Sequence, residues 1–354
     1  MTPEPHELAA IARRYERFAA VEARGSSPIY EQLAVAIARS SDLLAFISSM
    51  PPNCRQPNLF LAAVRHVAGV PRNQKEMEEI VHVHALRIQE VMLSRATQTN
   101  EPARCAVLLP VLAGLRQPLA LIEVGASAGL CLLPDRYGYD YGTRRLEPPS
   151  RPGVGAPIFH CIASAATPLP LALPKVGWRC GLDLSPLDVN SPPEMAWLET
   201  LVWPGQERRA QNLRAAIETA RSDPPKVCQG DLRTDLSAII AMAPKDMQLV
   251  VYHTAVLGYV SSQSDREVFA EIVGRTGAVW LSNEVPSVFP ELTRMAPPPP
   301  EPGHFLLAVN GKPVAWTGPH GQSIDWFAAE PFRLLNASSD CTSAAKKNAG
   351  PQNA

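Results

Sequence analysis

The stretch Leu119-Ala-Leu-Ile-Glu-Val-Gly-Ala-Ser-Ala-Gly-Leu130 decides the fold. A short apolar run leads into a turn of small residues, which is how a buried parallel strand reads. An acid, Glu123, stands near the strand's end. Gly125-Ala-Ser127-Ala-Gly129 then predicts a sharp strand-to-helix turn, because glycine lets the backbone bend and lets another group approach closely. A helix opening there would present unpaired N–H groups and the positive end of its dipole, a place suited to a carboxylate or phosphate.

Toward the C-terminus similar strands are predicted at 176–182, 226–229, 248–252 and 278–281, with helices at 206–221 and 265–275. Strands alternating with helices imply a parallel sheet covered by helices. Phe305 to Val309, Asn310-Gly311 and Pro313 to Trp316 read as an antiparallel hairpin, since Asn-Gly is a strong two-residue turn signal. Trp197, Trp203 and Pro204 are expected to pack the helix after Asp183 onto the sheet.

Toward the N-terminus the reading is helical from 5 to about 116. Ser27 caps and Pro28 opens one helix, carrying Leu33 and Ile37 at helical spacing, with Leu44 and Ile47 continuing the pattern. Stretches 58–67, 76–95 and 103–115 repeat it. The expected organisation is an α-helical N-terminal domain or cap over 1–116 and an α/β domain over 117–336. About 135–175 reads as an insertion, either a substrate lid or wall or a β-hairpin padding the sheet edge. A disordered tail is expected over 337–354, rich in Ser, Ala, Asn and Lys.

Bulk properties narrow the partners. The 354 residues are 46% hydrophobic and carry a formal net charge of -1, so no global field recruits nucleic acid or a membrane surface. The N-terminus is interrupted by charges and lacks a signal-peptide core, and no apolar run is long enough to span a bilayer. Seven cysteines are scattered without a C-x-x-C pair. They read as reduced thiols of a cytoplasmic protein, and no metal site is expected.

The polar residues that could carry chemistry fall at the ends of the predicted strands. They are Glu123, Asp183, Asp231 in Gln229-Gly-Asp, the trio Tyr252-His253-Thr254, and Ser282-Asn283-Glu284. Ligands of open α/β sheets bind outside those carboxyl ends. The dinucleotide fingerprint G-x-G-x-x-G is not met, because Ser127 holds its second position and Leu130 its third. The spacing resembles instead the first motif of class I methyltransferases.

That resemblance implies a Rossmann-like, mostly parallel sheet finished by the C-terminal antiparallel hairpin, and S-adenosylmethionine as cofactor. It implies that Glu123, Gly125, Ser127 and Gly129 wrap the methionine half, Asp183 grips the ribose hydroxyls and Asp231 meets the adenine. His253, with Tyr252 beside it, stands where such enzymes keep catalytic groups, and a histidine there could take a proton from the methyl acceptor. The chain departs from the pattern in having about fifty residues between Gly129 and Asp183, where about twenty is usual. The substrate would be a small molecule or peptide. Two alternatives stay open. One is a non-catalytic binding or scaffold protein that keeps the fold. The other is a serine hydrolase in which Gly-Ala-Ser127-Ala-Gly is a nucleophile elbow.

Tyr15-Glu-Arg-Phe18, Glu123 to Gly129, Asp135-Arg-Tyr137 with Tyr139-Asp-Tyr-Gly142, Gly181-Leu-Asp-Leu-Ser-Pro186, Trp203-Pro204 with Glu207-Arg208, and Gly230-Asp231 together resemble a bacterial family known as domain of unknown function 2332. The likeness spans about residues 10 to 335, and the family brings no established activity with it.

Overall fold

The structure is a computed structural model that describes residues 4–98, 100–149, 155–260 and 262–329. The tail expected at 337–354 lies outside the described residues. By its contacts the chain forms two compact units, one of residues 1–99 with 188–214, the other of residues 100–187 with 215–354. Among the described residues no helix is long and apolar enough to cross a membrane.

In chain order the elements begin with α1 (Pro5–Arg17), continued by a π-helical turn over Phe18–Ala23, then α2 (Pro28–Arg39), α3 (Ser41–Ser48), α4 (Pro57–Ala68) and α5 (Gln74–Ser94). Next come α6 (Cys105–Leu112), β1 (Leu119–Val124), β2 (Gly138–Asp140), β3 (Arg145–Leu146), β4 (Ile158–His160), β5 (Ile162–Ala163) and β6 (Val176–Asp183). They are followed by α7 (Pro192–Thr200), α8 (Glu207–Arg221), β7 (Val227–Gln229), α9 (Leu236–Ala241), β8 (Gln248–Thr254) and α10 (Gln263–Gly274). The chain closes with β9 (Val279–Glu284), α11 (Pro290–Met295), β10 (Phe305–Val309), β11 (Lys312–Thr317) and β12 (Ser323–Trp326).

The first unit is helical. Proline opens α1, α2 and α4, where its missing N–H would have no partner in any case. The Ser40 side chain accepts from Leu43 N to cap α3, and Asn73 accepts from Glu76 N to cap α5. Tyr15, Leu33, Ile37, Ile47, Phe60 and Ile88 are buried at its centre. Residues 188–214 belong here. Trp197 donates its indole N–H to Ala96 O at 2.9 Å, and Trp203 packs on Phe18 and Tyr30. Ser27 Oγ donates to Pro204 O at 2.7 Å. The expectation that these tryptophans pack onto the sheet is therefore corrected. Trp203 meets Phe18 of the π-helical turn and Tyr30 of α2, and Trp197 meets His66 of α4 instead.

The second unit is built on a nine-stranded sheet of order β5-β12-β11-β10-β9-β8-β1-β6-β7. The run β7-β6-β1-β8-β9 is parallel throughout. Numbered by appearance those five strands stand 3-2-1-4-5, so the order reverses between β1 and β8. All six residues of β1 are buried, as a central strand requires. On one face Ile122, Val124, Cys180, Leu182 and Val251 pack with Leu236 and Ile239 of α9 and Phe269 and Val273 of α10. The alternate residues Glu123, Arg179 and Tyr252 point to the other face.

Beyond β9 the sheet turns antiparallel through β10, β11 and β12. The hairpin turn is Asn310-Gly311, with φ of 49 and 72°. The third strand of this meander, β12, goes beyond the expected hairpin. The inserted segment makes a separate sheet, β3-β2-β4, while β5 pairs with β12 at the edge of the main sheet. Its tyrosines are pinned: Tyr137 OH donates to Leu130 O, Tyr139 OH to Pro134 O and Tyr141 OH to Ala106 O.

Candidate functional site

At the carboxyl end of β1 the chain bends through Gly125 to Gly129. Gly125, Ser127 and Gly129 all hold left-handed φ values, 73, 51 and 71°. Gly125 N donates to Leu182 O at 2.8 Å, and Gly129 N to Ala126 O at 2.7 Å. A Cβ at Gly125 would collide with the Val256 side chain, and one at Gly129 would lie 2.7 Å from Pro225 Cγ. Both glycines are thus demanded by the turn and by packing. One expectation fails here. No α-helix follows the turn, only a single 3-10 turn over Leu130–Leu132. Leu130 N is taken by Asn100 Oδ1 at 2.8 Å, and Pro134 stands within four residues. The helix-dipole argument therefore does not apply at this place.

Asp183, at the end of β6, closes over the turn. Its Oδ2 accepts Ser127 N at 2.8 Å and its Oδ1 accepts Ser185 N at 2.8 Å. Gly230 N donates to Asp183 O at 2.9 Å, which brings the end of β7 alongside. Asp231 itself faces Arg233, whose Nε and Nη2 donate to its carboxylate, and Arg233 also reaches Asp265. That guanidinium holds the Asp231 carboxyl below its usual range. Glu123, Gly125, Ser127, Gly129 and Asp183 are thus brought together, while Asp231 turns aside to a surface ion pair.

Glu123 is 2% exposed, and its Oε2 has no hydrogen-bond partner. Burial drives its carboxyl well above the usual carboxylate range; neighbouring Cys131 and Asp183 add to this, and Arg104 opposes it. Ser127 Oγ is likewise buried without a partner.

Tyr252 and His253 lie inside the sheet. Tyr252 OH donates to Cys131 O at 2.9 Å. His253 is 0% exposed, on the opposite face. Trp280 Nε1 donates to its Nε2 at 3.1 Å, and an indole N–H can only donate, so the ring proton sits on Nδ1. That Nδ1 lies 2.7 Å from Glu284 Oε1, which also accepts Val256 N at 2.9 Å and Leu257 N at 3.1 Å. Both ring nitrogens are occupied. The histidine fixes the loop after β8 rather than facing a ligand.

Two further polar residues mark the same sheet edge. Arg104 donates from Nε to Pro319 O at 2.8 Å and from Nη1 to Thr254 O at 3.1 Å, and lies over the Phe305 ring. Asn283 is fully buried, its Oδ1 accepting Thr317 Oγ1 at 2.7 Å, its Nδ2 without a partner. Sequence reading named Asn283 only as part of a strand end and missed Arg104. The available signal was an arginine set directly before the apolar run Cys105-Ala-Val-Leu-Leu-Pro-Val-Leu112.

The sequence profile of the family described as "Uncharacterized protein conserved in bacteria (DUF2332)" matches residues 12–326. The chain belongs to this family. No curated protein and no solved structure matches it. The DUF2332 match covers the turn, Asp183, Arg104 and Asn283 alike.

Proposed function

We propose that this DUF2332 protein is an S-adenosylmethionine-dependent methyltransferase acting on a small molecule or peptide. The supporting features are the 3-2-1-4-5 order of its parallel strands, the Gly-x-Ser-x-Gly turn at the reversal between β1 and β8, and acids at adjacent strand ends. The observation that carries the reading is Glu123 beneath that turn, buried with an orphaned oxygen.

The residues fit the cofactor in part. A ligand ammonium meeting Glu123 would favour its charged form and supply the missing partner. Asp183, which accepts the Ser127 and Ser185 amides, ends the strand beside the turn, where a carboxylate suits ribose hydroxyls. Ser127 Oγ is available to a ligand polar group. Asp231, engaged with Arg233, does not fit the adenine role without giving up that pair. When bound, the cofactor supplies an activated methyl group. The chain's own contribution is positioning, because Tyr252 and His253 are committed to internal bonds.

Calorimetric titration with S-adenosylmethionine tests this, repeated in buffers of different ionisation enthalpy. Micromolar binding that weakens in Asp183→Ala is expected, with a proton exchange that Glu123→Gln removes. No binding sinks the reading. Binding without turnover across a panel of acceptors would favour the non-catalytic alternative. The left-handed backbone and free hydroxyl of Ser127 speak for a hydrolase, but the strand-end histidine is engaged elsewhere. Labelling of Ser127 by a fluorophosphonate would decide for that alternative.

A further inference from the structure

We propose that Arg104 and Asn283 form an anion site that takes a carboxylate of the substrate. The proposal rests on the methyl-transfer reading for the role of the bound group, though not for its binding.

Arg104 is 7% exposed, and among the described residues no carboxylate stands within ion-pair distance of it. Two carbonyls solvate its guanidinium in part. A buried charge is ordinarily paired, because taking it out of water without a counter-charge is unfavourable. Glu123 is not paired with it: no hydrogen bond or ion pair joins the two among the described residues, and Glu123 Oε2 has no partner. Asn283 adds an orphaned buried donor, Nδ2.

The two groups belong to one place. Thr254, whose carbonyl takes Arg104, is the register partner of Asn283 across β8 and β9. Phe305, beneath the Arg104 guanidinium, is the register partner of Thr317, whose hydroxyl holds Asn283 Oδ1. A cation with planar donors and an amide N–H with no acceptor suit a planar anion.

A carboxylate acceptor also accounts for the missing base. It is already ionised at neutral pH. Its oxygen would form the new C–O bond as the sulfonium S–CH3 bond breaks. A neutral methyl ester and a neutral thioether result, with no proton to move. His253 and Tyr252 can then remain in their internal bonds.

The test titrates the full chain with acetate, succinate and benzoate, and with methyl benzoate as control. Wild type should bind at least one carboxylate and not the ester. Arg104→Gln and Asn283→Leu should each weaken that binding about tenfold or more. S-adenosylmethionine affinity, measured separately on each variant, should be unchanged. If Arg104→Gln fails to fold, Arg104→Lys and Asn283→Leu carry the comparison. No carboxylate binding by wild type, or unweakened binding in folded variants, overturns the proposal. So does loss of S-adenosylmethionine affinity in these variants, which would assign the site to the cofactor's own carboxylate. Carboxylate binding without cofactor binding would sink the methyl-transfer reading and leave the anion site standing.

Discussion

Asp183 and Ser127 are tied side chain to backbone: Oδ2 of the acid ending β6 accepts the Ser127 amide at 2.8 Å. The connection is returned from farther along the chain, where Leu187 N donates to Ser127 O at 3.1 Å. The turn after β1 is therefore held from the neighbouring strand, not by a helix of its own.

Asp183→Ala should remove the acceptor that the amides of Ser127 and Ser185 share. A loss of about 1–3 kcal/mol in stability is expected, together with weakened cofactor binding. Urea denaturation and calorimetry measure the two separately. Full stability in the variant would show that the turn is held by other means.

Gly125→Ala adds a Cβ against Val256 and forces a left-handed φ on alanine. About 2–5 kcal/mol of destabilisation is expected from strain and overpacking combined. Pairing it with Val256→Ala should recover the packing part only. Complete recovery would mean that the backbone conformation carries no strain.

Glu123 makes stability depend on pH with a definite sign. Its folded-state value lies well above the ordinary 4.5. Below 4.5 both states hold the proton. As pH rises above that, only the unfolded chain releases it, so stability falls until the folded carboxyl itself ionises. The slope is up to about 1.4 kcal/mol per pH unit. Glu123→Gln should remove this part of the slope and gain relative stability toward pH 8. Identical slopes in the two proteins would place the titrating group elsewhere.

Glu284→Ala removes one acceptor from three donors: His253 Nδ1, Val256 N and Leu257 N. About 3–5 kcal/mol of stability should be lost. Tryptophan fluorescence should change as well, because Trp280 is hydrogen-bonded to the same ring. His253→Gln should leave the pH profile of any methyl transfer unmoved, whereas a shifted profile would restore the histidine to a catalytic role.

Much of the fold was legible because its signals are local. The apolar run 119–124, the small-residue turn and the Asn310-Gly311 hairpin each depend on neighbours in sequence. The five parallel strands and their polar ends follow from the same alternation. The single turn at Leu130–Leu132 was not legible, because the amide of Leu130 is claimed by Asn100, thirty residues away. The placement of Trp197 and Trp203 was not legible either, since aromatic surface packs equally well on a sheet or a helix pair.

By itself the sequence determined which residues stand at the carboxyl ends of the strands, because period and punctuation are properties of neighbouring residues. The tertiary structure alone decided what those residues face. His253 became an internal tie because Trp280 and Glu284 meet it from β9. Arg104 became a buried cation because Thr254 and Pro319, more than a hundred residues away, supply its carbonyls. Hydrogen-bond partners across such separations leave no pattern in one chain's order, and burial settles the ionisation of Glu123 only once the sheet has closed around it.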